Sequence, residues 1–148
     1  VSSTEIRRLL KAGDAKEAAR LMGHCFQVAG EVVHGSQVGR QIGFPTANVA
    51  PSRQLIALPD GIYASTACIE DESRFRPAVT YIGTRPAVNT GDRMIETHLF
   101  DFDGDLYGKT LTTEFVEHLR PDRDFPSVDA LVEQLGVDVR MAREVLKA

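Results

Sequence analysis

Hydrophobic residues recur at helical spacing near both ends of the chain and at strand spacing between them. Residues 1–22 predict two short helices that are separated at Gly13, the second one capped by Asp14. At the other end, an apolar stripe over residues 128–146 predicts a longer helix. Gly136 falls in the middle of that stripe and is expected to bend or break the helix, because glycine costs about 1 kcal/mol relative to alanine in a helix interior.

Between the helical ends, short stretches rich in β-branched residues alternate apolar and polar positions. The strand candidates are residues 26–35, 61–70, 77–83, 94–102 and 111–119. Asp103-Gly104 lies between the last two candidates and predicts a hairpin there. Several short strands separated by turns favour a barrel or a sandwich. The pattern therefore predicts a mainly-β protein, with a small helical N-terminal piece, an antiparallel β-barrel and a C-terminal helix packed on it.

Composition narrows the classes of function. The chain has 148 residues, of which 43% are hydrophobic, so one domain with a buried core is expected. The net charge of −4 argues against a nucleic-acid partner, which normally meets a basic surface. No apolar run approaches the roughly 18 residues that a membrane helix needs, so no membrane partner is expected. Cys25 and Cys68 lie far apart without metal-ligand spacing, which predicts reduced thiols in a cytoplasmic protein.

The stretch from 35 to 48 reads GSQVGRQIGFPTAN and combines backbone freedom with a fixed proline. Its three glycines are Gly35, Gly39 and Gly43. Glycine lets successive N–H groups converge on an anion. Arg40 adds a planar positive group suited to phosphate, and Pro45 stiffens the residues that follow it. The combination indicates a loop that wraps a phosphate chain.

Thr46 and Asn48 end this stretch with a hydroxyl and an amide oxygen, both hard donors of the kind that Mg²⁺ accepts. The stretch is neither a P-loop nor a dinucleotide fingerprint, because it lacks the Gly-Lys-Ser/Thr ending and the required glycine spacing. A glycine-rich loop that turns a barrel corner, with Thr46 and Asn48 bonded only to backbone, would have the same composition. Both interpretations stay open at this point.

A second candidate lies in MIETHLF, residues 94–100. In a strand, Glu96 and His98 point to one face, whereas Ile95, Thr97 and Leu99 point to the other. If the first face lines a cleft, Glu96 is a candidate general base for a hydroxyl nucleophile. A solvated glutamate on a half-exposed strand is the alternative, and His98 is expected to pack or to form a hydrogen bond.

Five segments in this order resemble the riboflavin kinase (flavokinase) family over roughly residues 28–147. They are GEVVHGSQVGRQIGFPTAN, LPDGIYA, IGTRP, IETHLFDFDGDLYG and FVEHLRPDRDF. The resemblance implies a six-stranded antiparallel Greek-key β-barrel with a C-terminal helix. It also implies transfer of the γ-phosphoryl group of ATP, with Mg²⁺, to the ribityl 5′-hydroxyl of riboflavin, which gives FMN.

The first residues, VSSTEIRRLLKAGDAKEAARLMG, are similar to the tail of the adenylyltransferase module of bacterial bifunctional FAD synthetases. The resemblance therefore divides the chain into a helical remnant of that module at 1–24 and a riboflavin kinase domain at 25–148. It implies the kinase half of a two-activity enzyme, expected to make FMN but not FAD and to be monomeric.

The resemblance also assigns roles to individual residues. It makes Thr46 and Asn48 the ligands of the metal and the phosphates, and Glu96 the catalytic base. Flavin contacts are expected from Arg120 and Phe125. The nucleotide loop would be shaped by Gly35, Gly39, Arg40, Gly43, Phe44 and Pro45.

One departure from the family pattern follows IGTRP, where the family often has Pro-Thr-Phe and this chain has Pro86-Ala87-Val88. The change removes a hydroxyl and an aromatic ring from a loop near the flavin. A non-catalytic flavin- or nucleotide-binding barrel of the same fold is the alternative function. A nucleic-acid-binding barrel of the OB type is a further one, disfavoured by the acidic balance and by the lack of interleaved aromatic and basic residues.

Overall fold

The computed structural model describes residues 3–23, 25–33, 43–50, 58–84 and 93–148, and within them the chain forms three helices and six strands. The helices are α1 (Ser3–Lys11), α2 (Ala15–Met22) and α3 (Val128–Leu146). The strands are β1 (Phe26–Val33), β2 (Ala47–Val49), β3 (Gly61–Ile69), β4 (Arg76–Thr84), β5 (Arg93–Leu99) and β6 (Thr110–Arg120).

The six strands close into a barrel in the order β1-β2-β5-β4-β3-β6, and every neighbouring pair is antiparallel. Strands β3, β4 and β5 follow one another as neighbours, whereas β2 lies on the far side of β5. This is a Greek-key order. The predicted six-stranded antiparallel barrel with helices at both ends is confirmed.

The interior of the barrel is mostly apolar, and the N-terminal helices contribute to it. Leu9, Leu10 and Ala18 of the helices belong to the same buried cluster as Tyr63 and Phe115 of the strands. The Asp14 side chain accepts a hydrogen bond from the Glu17 N–H at 3.1 Å, so it caps α2 as the sequence predicts. The predicted appendage therefore helps to build the core of the barrel.

Helix α3 covers part of the outer surface of the barrel. Ala142 packs with Ile62, Ala64 and Val79 in a second buried cluster. The helix continues through Gly136 without a break, so the expected break is wrong. The helical cost of one glycine is about 1 kcal/mol, which the burial of the α3 face against the barrel outweighs.

A buried ion pair also holds α3 to the barrel. Asp138 on α3 is 0% exposed and accepts hydrogen bonds from two guanidinium nitrogens of Arg120, at 2.9 and 2.8 Å. The Gln134 amide donates a third bond to the same carboxylate at 2.9 Å. Because every one of these bonds satisfies a charge or a dipole that is shielded from water, the pair fixes the end of β6 relative to α3.

Two details differ from the sequence prediction. The hairpin predicted at Asp103-Gly104 is wrong, because β5 and β6 are not neighbours and the connection over residues 100–109 crosses to another part of the barrel. Strand β2 was not among the predicted strands. Its three residues are too few to show alternation, and they form a strand because β1 and β5 pair with them on both sides.

Within the described part of the chain, no helix is both long enough and apolar enough to span a membrane.

His118 lies in a narrow space between the barrel and the turn that joins α1 to α2. Its ring stacks on Tyr63, with 4.7 Å between the ring centroids. A Cβ placed on Gly13 would lie 2.9 Å from Nδ1, and one placed on Gly61 would lie 2.5 Å from Nε2. Burial lowers the pKa of His118 below its ordinary value, and its buried Nε2 has no hydrogen-bond partner among the described residues.

We expect this histidine to make the stability of the protein depend on pH. The unfolded chain takes up a proton at His118 near pH 6.5, whereas the folded chain does so only at lower pH, so the free energy of unfolding falls as the pH drops through that window. Urea unfolding at pH 7.5 and 5.5 measures the loss. His118→Gln cannot be protonated and should lose less stability over the same interval. Equal losses in the two proteins would contradict this assignment.

Candidate functional site

Three polar side chains form a row on the outer surface of the barrel. Asn48 on β2 lies opposite Glu96 on β5, and Glu96 lies opposite Tyr81 on β4. Directly opposite residues have Cβ atoms about 4.5–5.5 Å apart, with side chains on one face of the sheet. The neighbours of Glu96 along β5, Ile95 and Thr97, are 0% and 1% exposed and point into the barrel. The predicted alternation along MIETHLF is thus observed. The stretch that ends at Asn48 and the strand that carries Glu96 lie next to each other.

The segment from Gly43 to Thr46 leads into β2 and is fastened to β5. Gly43 has a φ of +88°, a conformation that favours glycine. The Nδ1–H of His98 donates a hydrogen bond to the carbonyl oxygen of Pro45 at 2.8 Å. The His98 ring also meets the Phe44 ring nearly edge-on, with 5.7 Å between centroids. His98 therefore fixes the residues that immediately precede Thr46.

Asn48 is buried, at 6% exposure, and its Oδ1 has no hydrogen-bond partner among the described residues. A buried carbonyl oxygen without a partner costs about 1–3 kcal/mol, so such atoms are rare unless something else binds them. An amide oxygen is a hard donor of the kind that Mg²⁺ prefers. The position of this atom therefore fits a cation or a hydrogen-bond donor of a ligand.

A cavity of about 320 Å³ opens beside Thr46 and Asn48. Residues of the connection between β5 and β6 also line this cavity, among them Asp103, Gly104 and Tyr107. The volume falls in the range of small-molecule sites, about 300–1,000 Å³. The sequence pattern does not indicate that this connection lines a cavity, because the Asp-Gly signal in DFDGDLYG predicts a hairpin.

The described residues hold no group of three or more His, Cys, Asp or Glu side chains that could bind a metal ion by themselves. A metal at this site would therefore need further donors, such as neutral protein oxygens and oxygens of its own ligand. The hydroxyl of Thr46 and the amide oxygen of Asn48 are donors of that kind, which is the set that the sequence predicts.

Arg120 ends β6, and Phe125 lies in the connection that leads from β6 to α3. The Arg120 guanidinium is held by Asp138 and lies 5.6 Å from the centroid of the Phe125 ring. Asp138 thereby fixes the guanidinium, and the flavin contact expected of both residues stays a prediction. Among the predicted or singled-out positions, Gly35, Gly39, Arg40, Ala87 and Val88 lie outside the described residues.

Comparison with known proteins identifies related chains. Residues 22–146 match the family model described as Flavokinase: Riboflavin kinase. The chain is 43% identical over 144 residues to the bifunctional riboflavin kinase/FMN adenylyltransferase of Pseudomonas fluorescens, an alignment that covers 97% of this chain and 45% of that protein. The chain thus spans about half the length of the curated relatives that it matches.

Two solved structures have the same fold. A crystal structure described as a macrolide-efflux protein from Streptococcus pneumoniae superposes with a TM-score of 0.87 at 34% identity, covering 97% of this chain and 46% of that one. A riboflavin kinase from Trypanosoma brucei superposes with a TM-score of 0.61 at 23% identity, covering 82% of this chain and 76% of that one. The second likeness concerns the fold alone.

Proposed function

This chain belongs to the riboflavin kinase family, and we propose that it transfers the γ-phosphoryl group of ATP, in the presence of Mg²⁺, to the ribityl 5′-hydroxyl of riboflavin. The products are FMN and ADP. The observation that carries the proposal is the pairing of Asn48 with Glu96 across β2 and β5. Thr46 and Asn48 also line the cavity of about 320 Å³, whereas Glu96 does not. That pairing brings a candidate metal ligand next to a candidate base.

Thr46 and Asn48 would hold the magnesium ion together with the phosphate oxygens. Asn48 fits this role because its buried Oδ1 has no partner in the described part of the chain. Mg²⁺ bound with ATP neutralises the charge that develops on the transferred phosphoryl group. The nucleotide loop would be completed by Gly35, Gly39, Arg40, Gly43, Phe44 and Pro45, and the His98 bond to the Pro45 carbonyl holds the end of that loop in place.

Glu96 would act on the alcohol. Its carboxylate orients the ribityl hydroxyl and accepts the proton while the oxygen forms its bond to the γ-phosphorus and the bond from that phosphorus to the ADP oxygen breaks. General-base catalysis of this kind contributes a factor of about 10²–10⁴. The place of Glu96 on β5, a strand held between β2 and β4, keeps this carboxylate at a fixed distance from Asn48.

The proposal for this chain is limited to the kinase reaction, although the curated relatives are also named FMN adenylyltransferases. The division of the chain into a remnant at 1–24 and a kinase domain at 25–148 remains a proposal. Residues of α1 and α2 belong to the same buried cluster as residues of the barrel strands. We place the protein in the cytoplasm, where the two free cysteines would stay reduced. The expectations of a monomer and of no nucleic-acid partner remain predictions.

The direct test is chromatography of riboflavin after incubation with this chain and MgATP. We expect FMN to appear, and chelation of Mg²⁺ with EDTA to stop its formation. Glu96→Gln should lower turnover about 10²–10⁴-fold while it retains riboflavin binding, because the amide cannot accept the proton. Glu31→Gln, an exposed glutamate on β1, is the matched control and should leave turnover unchanged.

Undiminished turnover in Glu96→Gln would remove this residue from the reaction. Binding of riboflavin by the unaltered chain without any FMN would instead favour the non-catalytic barrel.

A second variant separates function from stability at Asn48. Asn48→Leu keeps a similar volume and removes the buried amide oxygen, so we expect the free energy of unfolding to stay equal or to rise. The same variant should lose about tenfold or more in kcat/KM for MgATP, because a metal ligand is gone. Urea unfolding and steady-state kinetics measure the two effects. A loss of stability of more than about 1 kcal/mol would show that the amide is already satisfied in the folded protein.

A further inference from the structure

Tyr81 belongs to the same outer row as Asn48 and Glu96, but neither the sequence pattern nor the proposed reaction gives it a role. It lies directly opposite Glu96. Its hydroxyl donates a hydrogen bond to Oδ2 of Asp122 at 2.8 Å, across 41 positions in the sequence. Asp122 belongs to residues 121–126, which join β6 to α3 and form neither helix nor strand. The phenol therefore ties this connection to the strand that adjoins the candidate base.

Gly83 makes room for this contact. A Cβ placed on Gly83 would lie 2.0 Å from the Tyr81 hydroxyl oxygen and 2.3 Å from the ring carbon that carries it. Real Cβ contacts are never that short, so the phenol lies directly against the Gly83 backbone. Any larger residue at this position would push the ring aside. Gly83 beneath the ring and Asp122 at its tip thus help to set the direction of the Tyr81 side chain, which also packs against the second buried cluster.

The connection is also held at its other positions. Arg120 is fixed by Asp138, and both Arg120 and Arg123 lie over the Phe125 ring, at 5.6 and 4.7 Å from its centroid. Arg123 donates a further bond to the Gln134 side chain at 3.1 Å. The Arg123–Gln134 bond joins the connection to α3, the Arg120–Phe125 contact joins it to the end of β6, and the Tyr81–Asp122 bond joins it to β4. Loss of that bond would free the connection on the side that faces the outer row.

We propose that Tyr81 is a positioning residue that holds residues 121–126 as one wall of the alcohol-substrate site, and that the Tyr81–Asp122 bond sets the affinity for the flavin. The inference rests on the proposed function, since it takes riboflavin as the ligand. Tyr81 does not take part in the chemical step. Its loss should therefore weaken riboflavin binding and leave the transfer rate and the use of MgATP nearly unchanged.

The test uses Tyr81→Phe, which keeps the ring and removes the bond. Riboflavin affinity is measured directly by the quenching of flavin fluorescence on binding. We expect the Kd to rise about fivefold, the value of a net hydrogen bond to a partly solvated group. The KM for riboflavin should rise in parallel, with kcat within about twofold and the KM for MgATP unchanged.

Four further variants make the result specific. Asp122→Ala should raise the Kd as much as Tyr81→Phe, and the double variant should be no weaker than either single one, because both remove one bond. Gly83→Ala should have the same effect by displacing the phenol. Asp129→Ala, which removes the same charge from the exposed first turn of α3 and lies outside residues 121–126, is the matched control and should bind riboflavin like the unaltered chain.

The proposal is overturned if Tyr81→Phe binds riboflavin as tightly as the unaltered chain. It is also overturned if the effects of Tyr81→Phe and Asp122→Ala multiply in the double variant, or if Asp129→Ala weakens riboflavin binding as much as Asp122→Ala does. A chain that binds riboflavin but makes no FMN would contradict the proposed reaction. The Kd values of the variants for riboflavin would still decide the role of Tyr81. A chain that does not bind riboflavin at all would overturn both.

Discussion

The register of β2 against its two neighbours is the constraint on which the candidate site depends. Only three residues make up this strand, and they pair with β1 on one side and with β5 on the other. Val49 is 1% exposed and meets Ile95, which is 0% exposed, inside the barrel. A slip by one residue would turn Val49 outward and Asn48 inward, since side chains alternate across a strand. The burial of Val49 and Ile95 thus keeps Asn48 and Glu96 on the outer face of the barrel.

Strand β5 serves both sides of the candidate site. It carries Glu96 on the outer row, and two residues later it carries His98, which holds the Pro45 carbonyl and the Phe44 ring. The segment that enters β2 and the candidate base are therefore positioned by the same strand. A site whose parts share one rigid element keeps their separation with little dependence on loops, which is what transfer of a phosphoryl group in line requires.

The residues proposed for the chemistry differ from the residues that stabilise the barrel. Asn48 keeps a buried oxygen without a described partner, which costs free energy of folding and which the proposed metal would offset. The compensating interactions lie elsewhere, in the apolar interior that α1 and α2 help to fill and in the fully paired Asp138 on α3. Natural proteins commonly break a local rule at a functional site and recover the free energy in the scaffold. The packing of α3 and of the helical N-terminus supplies that scaffold here.

The amino-acid sequence alone determined the barrel class, the helices at its ends, the alternation that pairs Glu96 with His98 on one face, and the family. Each of these depends on local periodicity or on residues that are close in the chain. The tertiary structure alone decided that β2 exists, that Asn48 faces Glu96, and that Tyr81 reaches Asp122. It also decided that the connection after β5 forms a cavity wall and that α3 runs through Gly136. The reason is physical: strand pairing and burial join residues that are tens of positions apart, and their free energy overrides the local preference of a glycine or of a short turn signal.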